Sequence, residues 1–346
     1  MNIAINGFGR IGRVLARQIF ESKNVNLILI NDIIPSIKNI AYLLKYDSTY
    51  GRFPYDIICK KKELEINKKK TQYFSKNNIY KINYKNKNID VLIDSSGIEE
   101  NINLAKKLIK EKKIKSYIFT MSSNLTDKEI VFGFNDDQVK KSKVLSASIC
   151  DSNAISHFLN YFEKKYKILS GSVTTLHPWL SYQNLLDGAA KGIGPDPNKY
   201  TPKLKKNDHL INNFAIGRSS VSSVIPKETT AIKVCEKLIP KIKNKIISHS
   251  FRIPTSVVSC AEINLNLKKY SKYIIKDLHE WVENHKYLEL SKEICTSKDF
   301  EKKSASAILD SNWTRTKKSL VKIVVWYDNE WGYSSRVIDL AKKINK

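Results

Sequence analysis

The sequence predicts an α/β protein of two domains: an N-terminal domain on a parallel sheet, then an α+β domain on a mainly antiparallel sheet. Its 346 residues exceed the roughly 100–200 residues that one ordinary core serves. Before residue 150, short apolar runs alternate with stretches of helical period. After it the runs lengthen and alternate apolar with polar, as half-buried antiparallel strands do. These observations place domains at 1–149 and 150–330, with residues 331–346 as a C-terminal helix returning to the first domain.

Asn2 to Asn6 reads as a short buried strand, because Ile3, Ala4 and Ile5 are apolar and a glycine turn follows. Ile11 to Phe20 carries Ile11, Val14, Leu15 and Ile19 at helical spacing. Val25 to Ile30 is a second strand ending at Asn31-Asp32. Val91 to Ile93 and Tyr117 to Phe119 are further short strands, with a helix over Ile102 to Lys112. Strand alternating with helix implies a parallel sheet. Beyond Cys150, Ser152 to Tyr166 reads as a long helix. Strands follow at Ser170 to Leu176, Ser248 to Ile253, Ser256 to Leu267 and Leu320 to Tyr327, and Ser335 to Ile344 closes the chain as a helix. Gly188 to Asn213, with Pro195, Pro197 and Pro202, reads as an extended surface loop.

Gly7-Phe8-Gly9-Arg10-Ile11-Gly12 follows the first strand and opens the first helix. This is G-x-G-x-x-G in the context it requires. The first glycine permits a tight turn, the second lets backbone approach a pyrophosphate, and the third lets helix lie close to strand. Asp32 ends the second strand 20 residues after Gly12, where a carboxylate accepts hydrogen bonds from ribose hydroxyls and repels a 2′-phosphate. A plain glycine turn and a strand-end acid are the bland alternative. With strand, glycines, helix and acid in register, the first domain reads as a Rossmann-type site for NAD in preference to NADP.

Composition excludes several other classes. No apolar run reaches the ~18–20 residues of a membrane span, and the N-terminus lacks a basic stretch followed by a long apolar segment, so a cytoplasmic protein is expected. Five cysteines, Cys59, Cys150, Cys235, Cys260 and Cys295, show no C-x-x-C spacing. That argues against a disulfide framework or a zinc site. The net charge of +26 suggests a polyanion partner. Yet 52 of the 60 basic residues are Lys and only 8 Arg, spread along the chain among Asn and Ile. Solvated surface is the better reading than a nucleic-acid face, since Arg is favoured for bidentate phosphate contacts.

Cys150 stands just before the long helix, where unpaired amides and the helix dipole favour a thiolate. His177 follows 27 residues later at the end of Thr174-Thr175-Leu176-His177. Alone, each is more often a core residue. Together they suggest a nucleophile and its base.

At these residues a family resemblance enters. Asn2-Ile3-Ala4-Ile5-Asn6-Gly7-Phe8-Gly9-Arg10-Ile11-Gly12-Arg13 resembles the opening of the glyceraldehyde-3-phosphate dehydrogenases. Leu44-Lys45-Tyr46-Asp47-Ser48, Phe251-Arg252-Ile253-Pro254-Thr255 and Trp326-Tyr327-Asp328-Asn329-Glu330-Trp331-Gly332-Tyr333-Ser334 resemble later blocks, in family order. The resemblance implies an NAD-dependent aldehyde dehydrogenase working through a thioester on Cys150, with His177 as base, on a phosphorylated short aldose. Glyceraldehyde 3-phosphate is the default substrate. It implies that Asn329 and Tyr333 position the nicotinamide, that Ser96, Gly97 and Thr120 line the cofactor cleft, and that the protein is a homotetramer.

The sequence departs from the family at the site. The family pattern S-C-T-T-N-C is Ile149-Cys150-Asp151-Ser152-Asn153-Ala154 here, which keeps a hydroxyl at Ser152 but sets Ile149 and Asp151 in place of phosphate-holding hydroxyls. Asp151 is a favourable first-turn acid, yet it should repel an attacking phosphate and oppose thiolate formation. The run His177-Pro178-Trp179-Leu180 lacks the family's substrate-contacting threonine. Thr229 and Thr230 stand where the family has T-G, and Arg218 and Arg252 are the cations expected to bind anions. Asp151 leans toward hydrolysis of the thioester to a free acid, as in the erythrose-4-phosphate dehydrogenases, which the sequence also resembles. Family frequency leans toward phosphorolysis. A mainly polyanion-binding paralogue is the third reading.

Overall fold

The structure is a computed structural model describing residues 1–189 and 214–345, with backbone alone at 140 and 141. Most of the expected Gly188 to Asn213 loop thus lies outside the described residues. Contacts divide the chain into two compact units, Met1–Ile149 with Tyr333–Lys346, and Cys150–Gly332.

The first unit holds strands β1 (Asn2–Asn6), β2 (Asn26–Asn31), β3 (Ile57–Cys59), β4 (Glu63–Ile66), β5 (Lys69–Phe74), β6 (Ile89–Asp94), β7 (Ile114–Phe119), β8 (Lys128–Glu129) and β9 (Val144–Ser146). Helices α1 (Arg10–Glu21), α2 (Ile37–Lys45) and α3 (Asn101–Lys110) join them. The sheet order is β3-β4-β5-β2-β1-β6-β7-β9-β8. From β5 to β8 every pairing is parallel. Ile3, Ala4, Ile5, Val91, Leu92 and Ile93 are fully buried, as strands covered on both faces must be. The sequence reading missed the antiparallel edge β3-β4-β5. Its lysines disguise it: Leu64 and Ile66 point inward while Lys60 and Lys69 face water. Asn67 and Lys68 take φ of 49° and 62°, the left-handed pair of a two-residue hairpin turn.

The second unit opens with α4 (Cys150–Lys165) and β10 (Ile168–Pro178). Then come β11 (Ile225–Lys227), α5 (Ala231–Leu238), β12 (Ile246–Ile253), β13 (Ser259–Leu267), α6 (Ile274–Glu283), β14 (Leu288–Ser291), β15 (Ala307–Asp310), β16 (Arg315–Lys317) and β17 (Leu320–Tyr327). Its sheet order is β11-β12-β10-β13-β17-β15-β14, with β16 beside β17. Among the described residues only β10–β12 and β14–β15 pair in parallel, so the sheet is mainly antiparallel. Helix α4 packs against β10, β13 and β15. Ala154, Ile155, Phe158, Leu159 and Phe162 along it are fully buried, and burying each large side chain contributes about 1.5–3 kcal/mol. Tyr161 stacks on Trp281 at 4.5 Å. That packing seats α4 on the sheet.

Helix α7 (Trp331–Ile344) closes the chain. Asp328 caps it, accepting from the backbone amides of Glu330 at 3.0 Å and Trp331 at 2.7 Å.

Candidate functional site

In the first unit the glycine motif does what its spacing requires. Gly7 has φ of 80°, and a Cβ there would lie 2.5 Å from the Ser96 amide nitrogen; a Cβ on Gly12 would lie 2.1 Å from the Gly7 carbonyl oxygen. Around Gly9 there is nothing within 4 Å of a built Cβ. No described residue demands glycine there. Gly9 is the N-cap of α1 and offers no side-chain cap, and a helix N-terminus favours an anion. Asp32 accepts from the Phe8 amide at 2.6 Å and the Ile34 amide at 3.0 Å. A carboxylate has about four acceptor positions, so it retains capacity for ribose hydroxyls. Ile11 is half-buried in the first turn of α1.

Arg10, expected at the cofactor, is tied to Asp47 at 2.6 Å and lies over the Tyr50 ring. Although burial pushes Asp47 up, the Tyr50 amide, the Arg10 guanidinium and the Thr49 amide together hold it below the ordinary carboxylate range. The Leu44-Lys45-Tyr46-Asp47-Ser48 block is thereby a brace for α1: Arg17 also donates to the Leu44 and Gly51 carbonyls, each at 2.9 Å.

Asp94, which the sequence reading missed, organises the floor of this site. Fully buried, it accepts from the Ser96 amide at 2.9 Å and hydroxyl at 2.6 Å, from Asn101 at 2.9 Å and from Tyr117 at 3.0 Å. Burial raises its pKa, and these donors oppose the rise. It thus sets the Ser96-Gly97 turn, with Gly97 at φ 74°. Thr120 donates to the Asp94 carbonyl at 3.1 Å. The signal that could have found Asp94 is a carboxylate ending an otherwise apolar strand. Tyr333 donates its hydroxyl to the Ser148 carbonyl at 3.0 Å, which leaves its ring for other contacts.

In the second unit, α4 begins at Cys150 and brings its thiol 3.6 Å from His177 Nε2. His177 Nδ1 lies 2.9 Å from the Pro178 carbonyl oxygen. A carbonyl only accepts, so Nδ1 carries the proton and Nε2 turns its lone pair to sulfur. Burial and then the Arg252 charge lower the His177 pKa to about 4, against the opposing pull of Asp151. The imidazole is therefore neutral at physiological pH and able to take a proton.

The thiol departs from the helix-end expectation and follows the one drawn from Asp151. It donates to Asp151 Oδ1 at 3.4 Å, and burial, then the Asp151 charge and this hydrogen bond, push its pKa well above the ordinary value, with Arg252 opposing. Helix-end amides, worth about 0.3–1 kcal/mol, lose to burial plus a contacting carboxylate. Tyr327 donates to the same Asp151 oxygen at 2.8 Å and fixes it; burial and Asp151 hold the Tyr327 hydroxyl protonated.

Arg252 is buried, donates to the Pro178 carbonyl at 3.4 Å, and leaves Nε without an acceptor among the described residues. A buried guanidinium so poorly satisfied calls for an anion. Asn329 is likewise buried, with its Oδ1 accepting nothing among the described residues. Ser152 is fully buried in the first turn of α4. Thr229 is buried and accepts from the Ala231 amide at 3.1 Å, keeping its own proton to donate. Thr230 is exposed at the N-cap of α5. Arg218 pairs with Asp187 at 2.8 Å on the surface, and no described contact joins it to Cys150 or His177. Leu180 offers only backbone, its amide donating to Gln183 at 2.8 Å. Cys150, Asp151 and His177 present ligand atoms within 4.8 Å of one another, a donor set of zinc type, although the Arg252 charge beside it disfavours a cation.

The sequence matches the family description "Glyceraldehyde 3-phosphate dehydrogenase, NAD binding domain" over residues 1–102 and "Glyceraldehyde 3-phosphate dehydrogenase, C-terminal domain" over residues 198–329. It is 32% identical to glyceraldehyde-3-phosphate dehydrogenase of Buchnera aphidicola subsp. Schizaphis graminum, across 99% of this chain and 98% of that one. It is 30% identical to glyceraldehyde-3-phosphate dehydrogenase 1 of Kluyveromyces marxianus, across 99% of both. With glyceraldehyde-3-phosphate dehydrogenase B of Aspergillus oryzae the identity is 29%, across 99% of this chain and 97% of that one.

Proposed function

Because the chain belongs to the glyceraldehyde-3-phosphate dehydrogenase family, we propose that it oxidises a phosphorylated short aldose through a thioester on Cys150, with glyceraldehyde 3-phosphate the default substrate. The enzyme is an NAD-dependent oxidoreductase. The observation that carries the proposal is the Cys150–His177 pair at 3.6 Å, beside a buried Arg252 short of acceptors.

Cys150 sulfur attacks the aldehyde carbon, and its proton passes through His177 Nε2 to the new alkoxide, giving a hemithioacetal. His177 then takes the hydroxyl proton as the carbon becomes a thioester, its tautomer held by the Pro178 carbonyl. Bound NAD would supply the hydride acceptor for that carbon. The residues that would hold NAD are the Gly7–Gly12 loop and amides of α1, Asp32, Ser96, Gly97 and Thr120, with Asn329 and Tyr333 for the nicotinamide. Arg252, Ser152, Thr229 and Thr230 are candidates for the substrate's anionic group. Arg218 is a weaker candidate, being engaged by Asp187. A homotetramer accords with the family resemblance.

A second reading concerns release of the acyl group, and Asp151 favours it. Any nucleophile attacking a thioester on Cys150 approaches a carboxylate 3.4 Å from the sulfur. At ~4 Å and an effective dielectric of about 20, one charge repels another by roughly 4 kcal/mol before screening. Water suffers no such repulsion. Hydrolysis to a free acid is therefore the expected release, with weak dependence on inorganic phosphate. The test is NADH formation from a panel of aldehydes against phosphate concentration, with the product identified and Cys150→Ser as an inactive control that still binds NAD. A rate negligible without phosphate, with an acyl phosphate as product, overturns hydrolysis. An active Cys150→Ser variant overturns the thioester.

A further inference from the structure

The register of the second sheet places a lysine that the proposed mechanism does not use. On β10, β12 and β11, His177 pairs with Arg252 and Arg252 with Ile225; two residues along, Thr175 pairs with Ser250 and Ser250 with Lys227. Cross-strand partners share a face, as do residues two apart on one strand. Lys227 therefore stands on the face that carries His177 and Arg252, and His177 on that face meets the thiol of Cys150. The lysine is half-buried. Its ammonium makes no hydrogen bond or ion pair to any described residue.

We propose that Lys227 is an anion-binding residue of the catalytic site, which together with Arg252 holds a phosphoryl group or inorganic phosphate beside Cys150. The inference rests on the reading of Cys150 as the reactive thiol. Two cations on one face, each short of acceptors, repel one another in the absence of ligand, and a dianion relieves both. The lysine offsets only part of the repulsion that Asp151 exerts on an attacking phosphate. Burial and then Arg252 lower the Lys227 pKa to about 8, while Asp151, Cys150 and Glu228 oppose the fall.

Thiol labelling tests this without turnover. Iodoacetate is anionic and iodoacetamide neutral, so the ratio of their rates at Cys150 reads the local charge. Lys227→Met should lower that ratio roughly 10-fold at pH 7, and Lys227→Arg should hold it. The groups facing Lys227 are Cys150 and Asp151 from α4, His177 from β10, Arg252 from β12 and Glu228 on its own strand end. Below its pKa the lysine is charged and attracts iodoacetate. The wild-type ratio should therefore fall as pH rises through about 8, beyond any fall shared with Lys227→Arg, whose cation persists. Protection of Cys150 from iodoacetamide by inorganic phosphate and by glycerol 3-phosphate distinguishes the sources of the anion. Loss of either protection in Lys227→Met supports the proposal and names the source. An unchanged ratio and unchanged protection in a folded Lys227→Met protein overturn it. Should neither reagent label Cys150, the reading of the thiol fails instead. Broadening of the phosphate resonance by wild type but not by Lys227→Met then still supports the anion site, and equal broadening overturns it.

Discussion

At the scale of single residues, the thiol of Cys150 faces two acceptors, His177 Nε2 at 3.6 Å and Asp151 Oδ1 at 3.4 Å. Only the first helps chemistry. Replacing Asp151 by Asn removes a charge that disfavours thiolate and weakens a hydrogen bond that retains the thiol proton; both changes move the Cys150 pKa down. The rate of iodoacetamide labelling in the wild type should keep rising with pH beyond 9, because burial and Asp151 hold the thiol protonated. Asp151→Asn should shift the profile to lower pH by about one unit or more, raising the rate at pH 7 roughly 10-fold. Arg252→Gln should shift it the opposite way, since the guanidinium favours thiolate. Superimposable profiles for wild type and Asp151→Asn would show that the carboxylate does not govern the thiol.

Among the elements, β1 and α1 make the sharpest contrast within one motif. A methyl on Gly12 meets the Gly7 carbonyl oxygen at 2.1 Å, and backbone cannot swing aside as a side chain can. Gly12→Ala should lift α1 from β1, destabilise the fold by about 1–3 kcal/mol and weaken NAD binding at least roughly 10-fold. A methyl on Gly9 meets nothing within 4 Å. Gly9→Ala should keep stability close to wild type and lose NAD affinity alone. Denaturant unfolding and calorimetric NAD titration on both variants separate these outcomes. A Gly9→Ala protein with wild-type NAD affinity would mean that no ligand approaches that point.

For the whole molecule the dominant quantity is a net charge of +26. Among the described residues, several of the lysines are paired with acids. Lys60 pairs with Glu65, Lys115 with Asp90, Lys165 with Asp277 and Lys298 with Glu301, on elements of both units. Exposed pairs of this kind contribute little to stability, yet they spread acid among base. Binding to duplex DNA should therefore be non-specific, with dissociation constants of about 10⁻⁴–10⁻⁶ M near physiological salt and a steep fall as salt rises. Fluorescence anisotropy across a salt series measures this. A tight complex that resists salt and prefers one sequence would instead point to a dedicated nucleic-acid face. Among the described residues no helix is long and apolar enough to cross a membrane.

What the sequence determined by itself is whatever local pattern controls. The alternation of apolar runs with helical periods specified a parallel sheet, and Gly7, Gly9 and Gly12 announced a tight turn between β1 and α1, because steric demands on neighbouring backbone are written in consecutive residues. Cys150 and His177 were legible as a pair from a helix start and a strand end, and Arg252 through the family block around it. Tertiary structure decided the rest. Strands β3 to β5 escaped notice because a Lys-rich exposed face hides the period of Leu64 and Ile66. Asp94 lies one residue beyond the strand read at Val91 to Ile93, and only the fold brings four donors to it. Lys227 looked like one lysine among 52, and only the register of β11 on β12 placed it on the face of His177. The protonation of Cys150 likewise depended on burial and on Asp151 held by Tyr327, a residue 176 positions away. Charges act through space and desolvation through enclosure, so both follow contacts that sequence separation does not reveal.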